Sequence, residues 1–384
     1  MKRVRWERRL HSIWYGKSRA YIPLLPLSWL YCAASAIRRL AYRSGLLATT
    51  RLNSCVIVVG NISVGGTGKT PLVIALAERL LQAGFSVGIL TRGYLGRVSH
   101  WPQPVNTGSD PQQLGDEAVL LARKTRTAVF AGPQRVTAGR ALLQVSPCDV
   151  LICDDGLQHY ALHHDVEIAT VDASRGNGNG FCLPAGPLRE PVSRLQEVDA
   201  VVALGGNSAH RYRMQLVPGA VRQIRTPANR RDLESFQGRP VHAVAGIGNP
   251  ERFFAMLRRA GLTVHTHPFA DHHPFRAADL DFADDNPVLM TEKDAVKCET
   301  FAKSNWWLLP VDAQLDTAFY DWLFDVLDDR RKNLSLNRAL PRGDIPLRNR
   351  RQQGRCRRAY MDAFTAFSGR NHPCRRADYS SIAV

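Results

Sequence analysis

Three glycines, a lysine and a threonine stand close enough together to grip a polyphosphate. They lie in NISVGGTGKTP, residues 61–71. The usual nucleotide loop reads G-x-x-x-x-G-K-[ST], and counting back from Gly68 puts Ser63 where the first glycine normally stands. The loop is therefore Ser63, Val64, Gly65, Gly66, Thr67, Gly68, Lys69 and Thr70. Successive backbone N–H groups in such a turn, backed by the positive end of a helix, form a nest for phosphate oxygens. Lys69 can bridge the β- and γ-phosphates of ATP, and the Thr70 hydroxyl can ligate Mg²⁺. A tight strand-to-helix turn has no need of a lysine inside it, so nucleotide binding is expected despite Ser63.

Phosphoryl transfer also needs a carboxylate near the metal. VLICDDGLQHY, residues 150–160, ends an apolar run with Asp154 and Asp155. Two acids closing a buried strand are costly unless they meet a cation or donors; a capped turn is the alternative. Asp116 and Glu117 open GDEAVLLARK, where acids suit the helix dipole whether or not they do chemistry. In ADHHPF, residues 270–275, adjacent histidines cannot easily converge on one ion, and a single histidine beside a carboxylate is the better functional reading.

These groups need rigid elements behind them. From residue 55 strand-like runs (CVIVVG, SVGIL, TAVFAG, DVLICDD, DVEIATVD) alternate with helix-like stretches at 69–83, 115–124 and 134–144. That alternation predicts a doubly wound α/β sheet whose buried parallel strands read as continuous apolar runs. A second alternating block begins near 238. The expected organisation is an N-terminal segment over 1–50, a kinase core over 51–205, a polar Arg-rich linker over 206–237, a smaller α/β lobe over 238–329 and a basic, disordered tail over 330–384.

The net charge of +17 is carried by the ends: residues 1–51 contribute +10 and residues 330–384 +11, leaving 52–329 at −4. A basic arm for nucleic acid is not expected, because the tail has neither interleaved aromatics nor zinc spacing. The eight cysteines include no C-x-x-C pair and suggest neither a zinc module nor a disulfide scaffold. Residues 20–37 are uncharged and flanked by arginines. Pro23, Pro26 and the closing Arg-Arg argue against a cleaved signal peptide. The run from Pro26 to Ile37 is about 18 Å of helix, short of a ~30 Å hydrocarbon core. Attachment to an anionic membrane surface is the expectation, with packing on the protein's own core as the bland alternative.

Taken in order, VVGNISVGGTGKTP, RGY (92–94), GDEAVLLAR, GPQR (132–135), DDGLQHY, GNGFCLPAGPLREP (178–191), AGIGNPERFF, ADHH and MTEKDAVKC resemble the tetraacyldisaccharide 4'-kinases of lipid A synthesis over roughly residues 10–325. In that family a Ser or Thr occupies the first position of the loop, so Ser63 identifies the family and leaves nucleotide binding intact. The resemblance implies a P-loop NTPase-like fold and transfer of the γ-phosphoryl of MgATP to the 4'-hydroxyl of an acylated glucosamine disaccharide 1-phosphate, at the cytoplasmic face of the inner membrane. It further implies that Asp116 and His272 act as a pair on that hydroxyl, that Asp154 and Asp155 hold or orient Mg²⁺, and that Glu117, Arg135, His159, Arg189 and Glu190 line the site. A membrane-associated P-loop regulatory ATPase is the rival reading; it offers no reason for Asp116 and His272 to matter together.

Overall fold

The computed structural model describes residues 12–16, 18–206, 210 and 212–339. The first sheet is built from β1 (Cys55–Gly60), β2 (Val87–Thr91), β3 (Gln103–Val105), β4 (Ala128–Ala131), β5 (Val150–Asp154), β6 (Val166–Asp172), β7 (Ala200–Leu204) and β8 (Tyr212–Pro218). The second contains β9 (Val221–Gln223), β10 (Arg230–Arg231), β11 (Val241–Ala245), β12 (Val264–Pro268), β13 (Val288–Thr291) and β14 (Trp306–Leu309). A final strand, β15 (Val311–Leu315), returns to the first sheet, whose order is β15-β8-β7-β6-β1-β5-β2-β4-β3; the second runs β10-β9-β14-β13-β11-β12.

Strand β1 is central, parallel to β5 on one side and β6 on the other. Its six residues are all buried, which is why CVIVVG does not alternate with polar residues. Cys55, Ile57 and Val59 face one apolar layer; Val56 and Val58 face the other. The first layer is closed by helices α2 (Lys69–Gln82) and α3 (Asp116–Thr125), and the second by α4 (Arg135–Val145). Helix α1 (Leu25–Arg43) precedes them in the chain; α5 (Pro250–Arg259) and α6 (Glu292–Cys298) serve the second sheet.

Sheet membership corrects the expected boundaries. The expected linker, 206–237, contains β8, β9 and β10 among its described residues. Alternating Tyr212 and Met214 are buried while Arg213 and Gln215 point outward, so a half-covered strand near the sheet edge reads as polar. The second lobe ends at β14, since β15 pairs antiparallel with β8. Helix α7 (Thr317–Ala339) then packs Phe319, Leu323 and Leu327 into the core of the first sheet. The expected tail at 330 thus starts inside a helix; residues 340–384, like 1–11, lie outside the described residues.

Helix α1 has two unlike faces. Inward, Ser28 is buried and its hydroxyl donates to the Cys182 carbonyl at 2.7 Å. Near the C-terminal end, Arg39 and Arg43 pair with Glu197 at 3.2 and 2.5 Å. Outward, Leu27, Leu30, Ile37 and Leu40 are 57–68% exposed. Their spacing of three and seven residues keeps them on one side of the helix. Among the described residues no helix is long and apolar enough to cross a membrane.

Candidate active site

The phosphate loop leaves β1 and enters α2 through Gly68, whose φ of +85° is left-handed and whose absent Cβ would strike Leu204 and Met214. Two neighbours hold the loop in shape. The Val64 amide donates to the Pro187 carbonyl at 2.8 Å, and the Thr67 hydroxyl meets Thr170 on β6 at 2.7 Å. Lys69 therefore projects from a fixed turn. Its ammonium donates to Asn61 Oδ1 at 3.1 Å and lies 3.3 Å from Asp155 Oδ1. Asn61, fully buried at the end of β1, also donates to the Ser63 carbonyl at 2.6 Å. Sequence reasoning missed Asn61; its position directly after an apolar strand was the available signal.

The two acids at the tip of β5 diverge. Asp155 takes φ +49°, turning its side chain away from that of Asp154. It accepts from Arg189 Nη1 at 3.1 and 3.2 Å as well as facing Lys69. Burial would raise its pKa, but these two cations outweigh it and hold the carboxyl well below the usual range. Asp154 is 2% exposed, and its Oδ1 has no hydrogen-bond partner. Burial, reinforced by the charge of Glu117, raises its pKa. An orphaned buried carboxylate oxygen near Lys69 suits a cation. Among the described residues no three acidic, histidine or cysteine side chains form a cage; Mg²⁺ is usually held by one or two carboxylates plus phosphate oxygens. The residues present fit that ion.

The remaining expected site residues divide by environment. Arg135, 1% exposed, donates to the backbone carbonyls of Gly132 at 2.6 Å and Asp154 at 3.0 Å, so it braces the β5 tip from behind instead of lining the cleft. Glu190, 3% exposed, bonds to Tyr160 and Gln158 and lies 3.5 Å from Arg194, which makes it part of an internal network beneath the loop. His159 is half-buried beside Arg135, Arg92 and Arg38. Burial first, then those charges, pushes its pKa down to about 4. Arg189 faces the site through Asp155.

The second lobe covers this centre from two directions. Gly248 lies so close to the loop that a Cβ there would collide with the Gly66 amide. Its carbonyl accepts from Arg175 at 2.8 Å, while Asn249 and Arg252 both reach Asp172 at the end of β6. On the other side, His272 Nδ1 donates to Asp116 Oδ1 and Oδ2 at 2.9 and 3.1 Å. His272 has φ +59°, an uncommon conformation for a non-glycine residue, and its amide is tied to the Gly246 carbonyl. Asp116 also accepts from the Glu117 amide at 2.9 Å, so it serves the helix start and faces the second lobe at once. The hydrogen bond from His272 and the ammonium groups of Lys293 and Lys297 outweigh burial and lower its pKa. Burial lowers that of His272, yet the bond to Asp116 wins and the net direction is up. Glu117 is paired with Lys293 at 3.0 Å.

Lys293 and Lys297 were also missed. They occupy positions i and i+4 of α6, one face of a helix, and that spacing within TEKDAVK was legible. The arrangement as a whole can grip a polyphosphate and present a hydrogen-bonded carboxylate–imidazole pair from the opposite lobe.

Residues 20–328 match the model of the LpxK family, tetraacyldisaccharide-1-P 4'-kinase. The tetraacyldisaccharide 4'-kinase of Methylobacillus flagellatus is 51% identical over 315 residues, covering 82% of this chain and 94% of that protein. Its counterpart from Nitrosococcus oceani is 50% identical over 319 residues, covering 83% and 94%. The crystal structure of an LpxK from Aquifex aeolicus in complex with ATP superimposes with a TM-score of 0.68 at 28% identity, covering 80% of this chain and 99% of that one. The chain belongs to the tetraacyldisaccharide 4'-kinase family.

Proposed function

We infer that the protein transfers the γ-phosphoryl of ATP to the 4'-hydroxyl of a tetraacyldisaccharide 1-phosphate, giving the 4'-phosphorylated lipid A precursor. The observation that carries the reading is the Asp116–His272 pair, formed between lobes on the same rim as the phosphate loop. In this reading the amides of Gly65 to Thr70 cradle the phosphates, and Lys69, oriented by Asn61 and Asp155, draws charge onto the β- and γ-oxygens. Thr70 and Asp154 would hold Mg²⁺, which supplies charge neutralisation between those oxygens. Asp155 is left to orient Lys69 and Arg189. The Asp116–His272 pair receives the proton of the attacking hydroxyl. Because one member sits on each lobe, the pair exists only when the lobes are together, which limits transfer of phosphate to water.

The outer face of α1 would rest on an anionic bilayer. Four buried aliphatic side chains contribute roughly 1.5–3 kcal/mol each, and exposed Arg38 about 1 kcal/mol. The acylated substrate then need not leave the lipid phase. Incubation with γ-labelled ATP and the lipid disaccharide tests the function: a labelled lipid is expected, and release of labelled inorganic phosphate alone would support the regulatory ATPase instead.

A further inference from the structure

One ammonium in the cleft has three close polar neighbours and no part in the phosphate grip or the base. Lys293 Nζ lies 3.0 Å from Glu117 Oε1, 3.1 Å from Asp271 Oδ1 and 3.2 Å from His272 Nε2. Its side chain is 14% exposed. One helical turn on, Lys297 lies 3.4 Å from Asp116 Oδ2, anchored on Asp294 at 2.9 Å and placed over the Phe275 ring. Helix α6 thus delivers two ammonium groups to the N-terminus of α3, where Asp116 and Glu117 sit side by side.

An ammonium has hydrogens to give and no lone pair to accept with. At 3.2 Å, therefore, His272 Nε2 must accept from Lys293, and the imidazole proton must be on Nδ1, facing Asp116. An imidazolium would point an N–H at the ammonium. The other groups facing the ring are Asp116 and Asp271, which favour its protonation, and Tyr94, whose ring lies 4.9 Å away under the Arg92 guanidinium. Lys293 is thus the neighbouring cation that opposes the two carboxylates.

We propose that Lys293 is a positioning residue of the phosphoryl-transfer site: held by Glu117 of one lobe and Asp271 of the other, it donates to His272 Nε2 and fixes the neutral imidazole tautomer that donates from Nδ1 to Asp116. The Glu117 contact makes this tautomer a property of the closed lobes. A second consequence is that, with both imidazole nitrogens engaged, the proton of the substrate hydroxyl goes to the Asp116 carboxylate, which His272 orients. The proposal rests on the kinase reading for its chemistry, though not for its geometry.

The test uses the full chain in detergent micelles. In ¹⁵N-histidine NMR, with His272→Gln to identify the signal, wild-type His272 is expected as the neutral Nδ1–H tautomer at pH 7.5; an imidazolium or the Nε2–H tautomer there overturns the proposal. Lys293→Met is expected to lose about 10²-fold in kcat, the scale of a displaced catalytic group, with KM for ATP little changed. Its acid limb in kcat/KM should move to higher pH. Lys293→Arg, which keeps the charge, should recover most of kcat. A Lys293→Met enzyme with the wild-type tautomer, kcat and acid limb also overturns the proposal. If Lys293→Met does not fold, the wild-type tautomer and the Lys293→Arg turnover decide. Absence of any labelled lipid from the wild type would sink the kinase reading while leaving the tautomer measurement intact.

Discussion

His272 donates to Asp116 at 2.9 Å across 156 positions of sequence, joining a strained loop of one lobe to the first turn of a helix in the other. If the two act as a unit on the sugar hydroxyl, Asp116→Ala and His272→Ala should each lower kcat by roughly 10²–10⁴. The double variant should be little worse than the weaker single, since residues sharing one task are non-additive. ATP affinity, measured by fluorescence or calorimetry, should be nearly unchanged in all three. Multiplicative losses, or collapse of ATP binding in Asp116→Ala, would reduce Asp116 to a helix-start residue.

Lys69→Ala should lose most turnover, because the only side-chain charge projecting from the phosphate loop is removed. Asn61→Ala is a subtler test. It leaves the ammonium in place but removes the oxygen that orients it at 3.1 Å, so kcat should fall less than in Lys69→Ala while melting stays cooperative. Equal activity of Asn61→Ala and wild type would mean that Asp155 alone positions the lysine.

The two faces of α1 allow attachment and folding to be separated. Replacing Leu30, Ile37 and Leu40 by Ser changes exposed positions only, so Tm should stay close to wild type while co-sedimentation with anionic vesicles drops and KM for bilayer lipid rises. Deleting the whole helix would also strip the Ser28 and Glu197 contacts and confuse the two effects. Unchanged vesicle binding of the triple variant would rule out this face as the attachment surface.

His159 gives a pH dependence with a defined sign. Its folded pKa of about 4 lies below the ordinary histidine value near 6.5, so the unfolded chain binds the proton more tightly. The corresponding stability is present above about pH 6.5 and is lost as pH falls toward 4. His159→Gln should therefore lose less stability than wild type between pH 6.5 and 4, read as Tm against pH. Parallel curves would show that His159 is not held neutral.

Some of this protein was determined locally and was legible as letters. CVIVVG is buried on both faces, so its apolar run is continuous; Gly68 needs a left-handed φ and Lys69 follows it, so the phosphate loop survives the exchange of its first glycine for Ser63. Such features depend on a few adjacent residues. The tertiary structure decided whatever depends on partners distant in sequence. Adjacent Asp154 and Asp155 look equivalent as text, but the positive φ of Asp155 sends one to Lys69 and Arg189 and leaves the other buried with a bare oxygen. Arg135 and Glu190 read as site residues, yet packing turns both inward, where charged groups must find backbone or side-chain partners. The return of β15 to the first sheet was hidden because an edge strand alternates in burial and carries polar residues. The i, i+4 spacing of Lys293 and Lys297 was legible, but the meeting of Lys293 with two carboxylates and an imidazole was not, because Glu117 and His272 lie far from it in the chain.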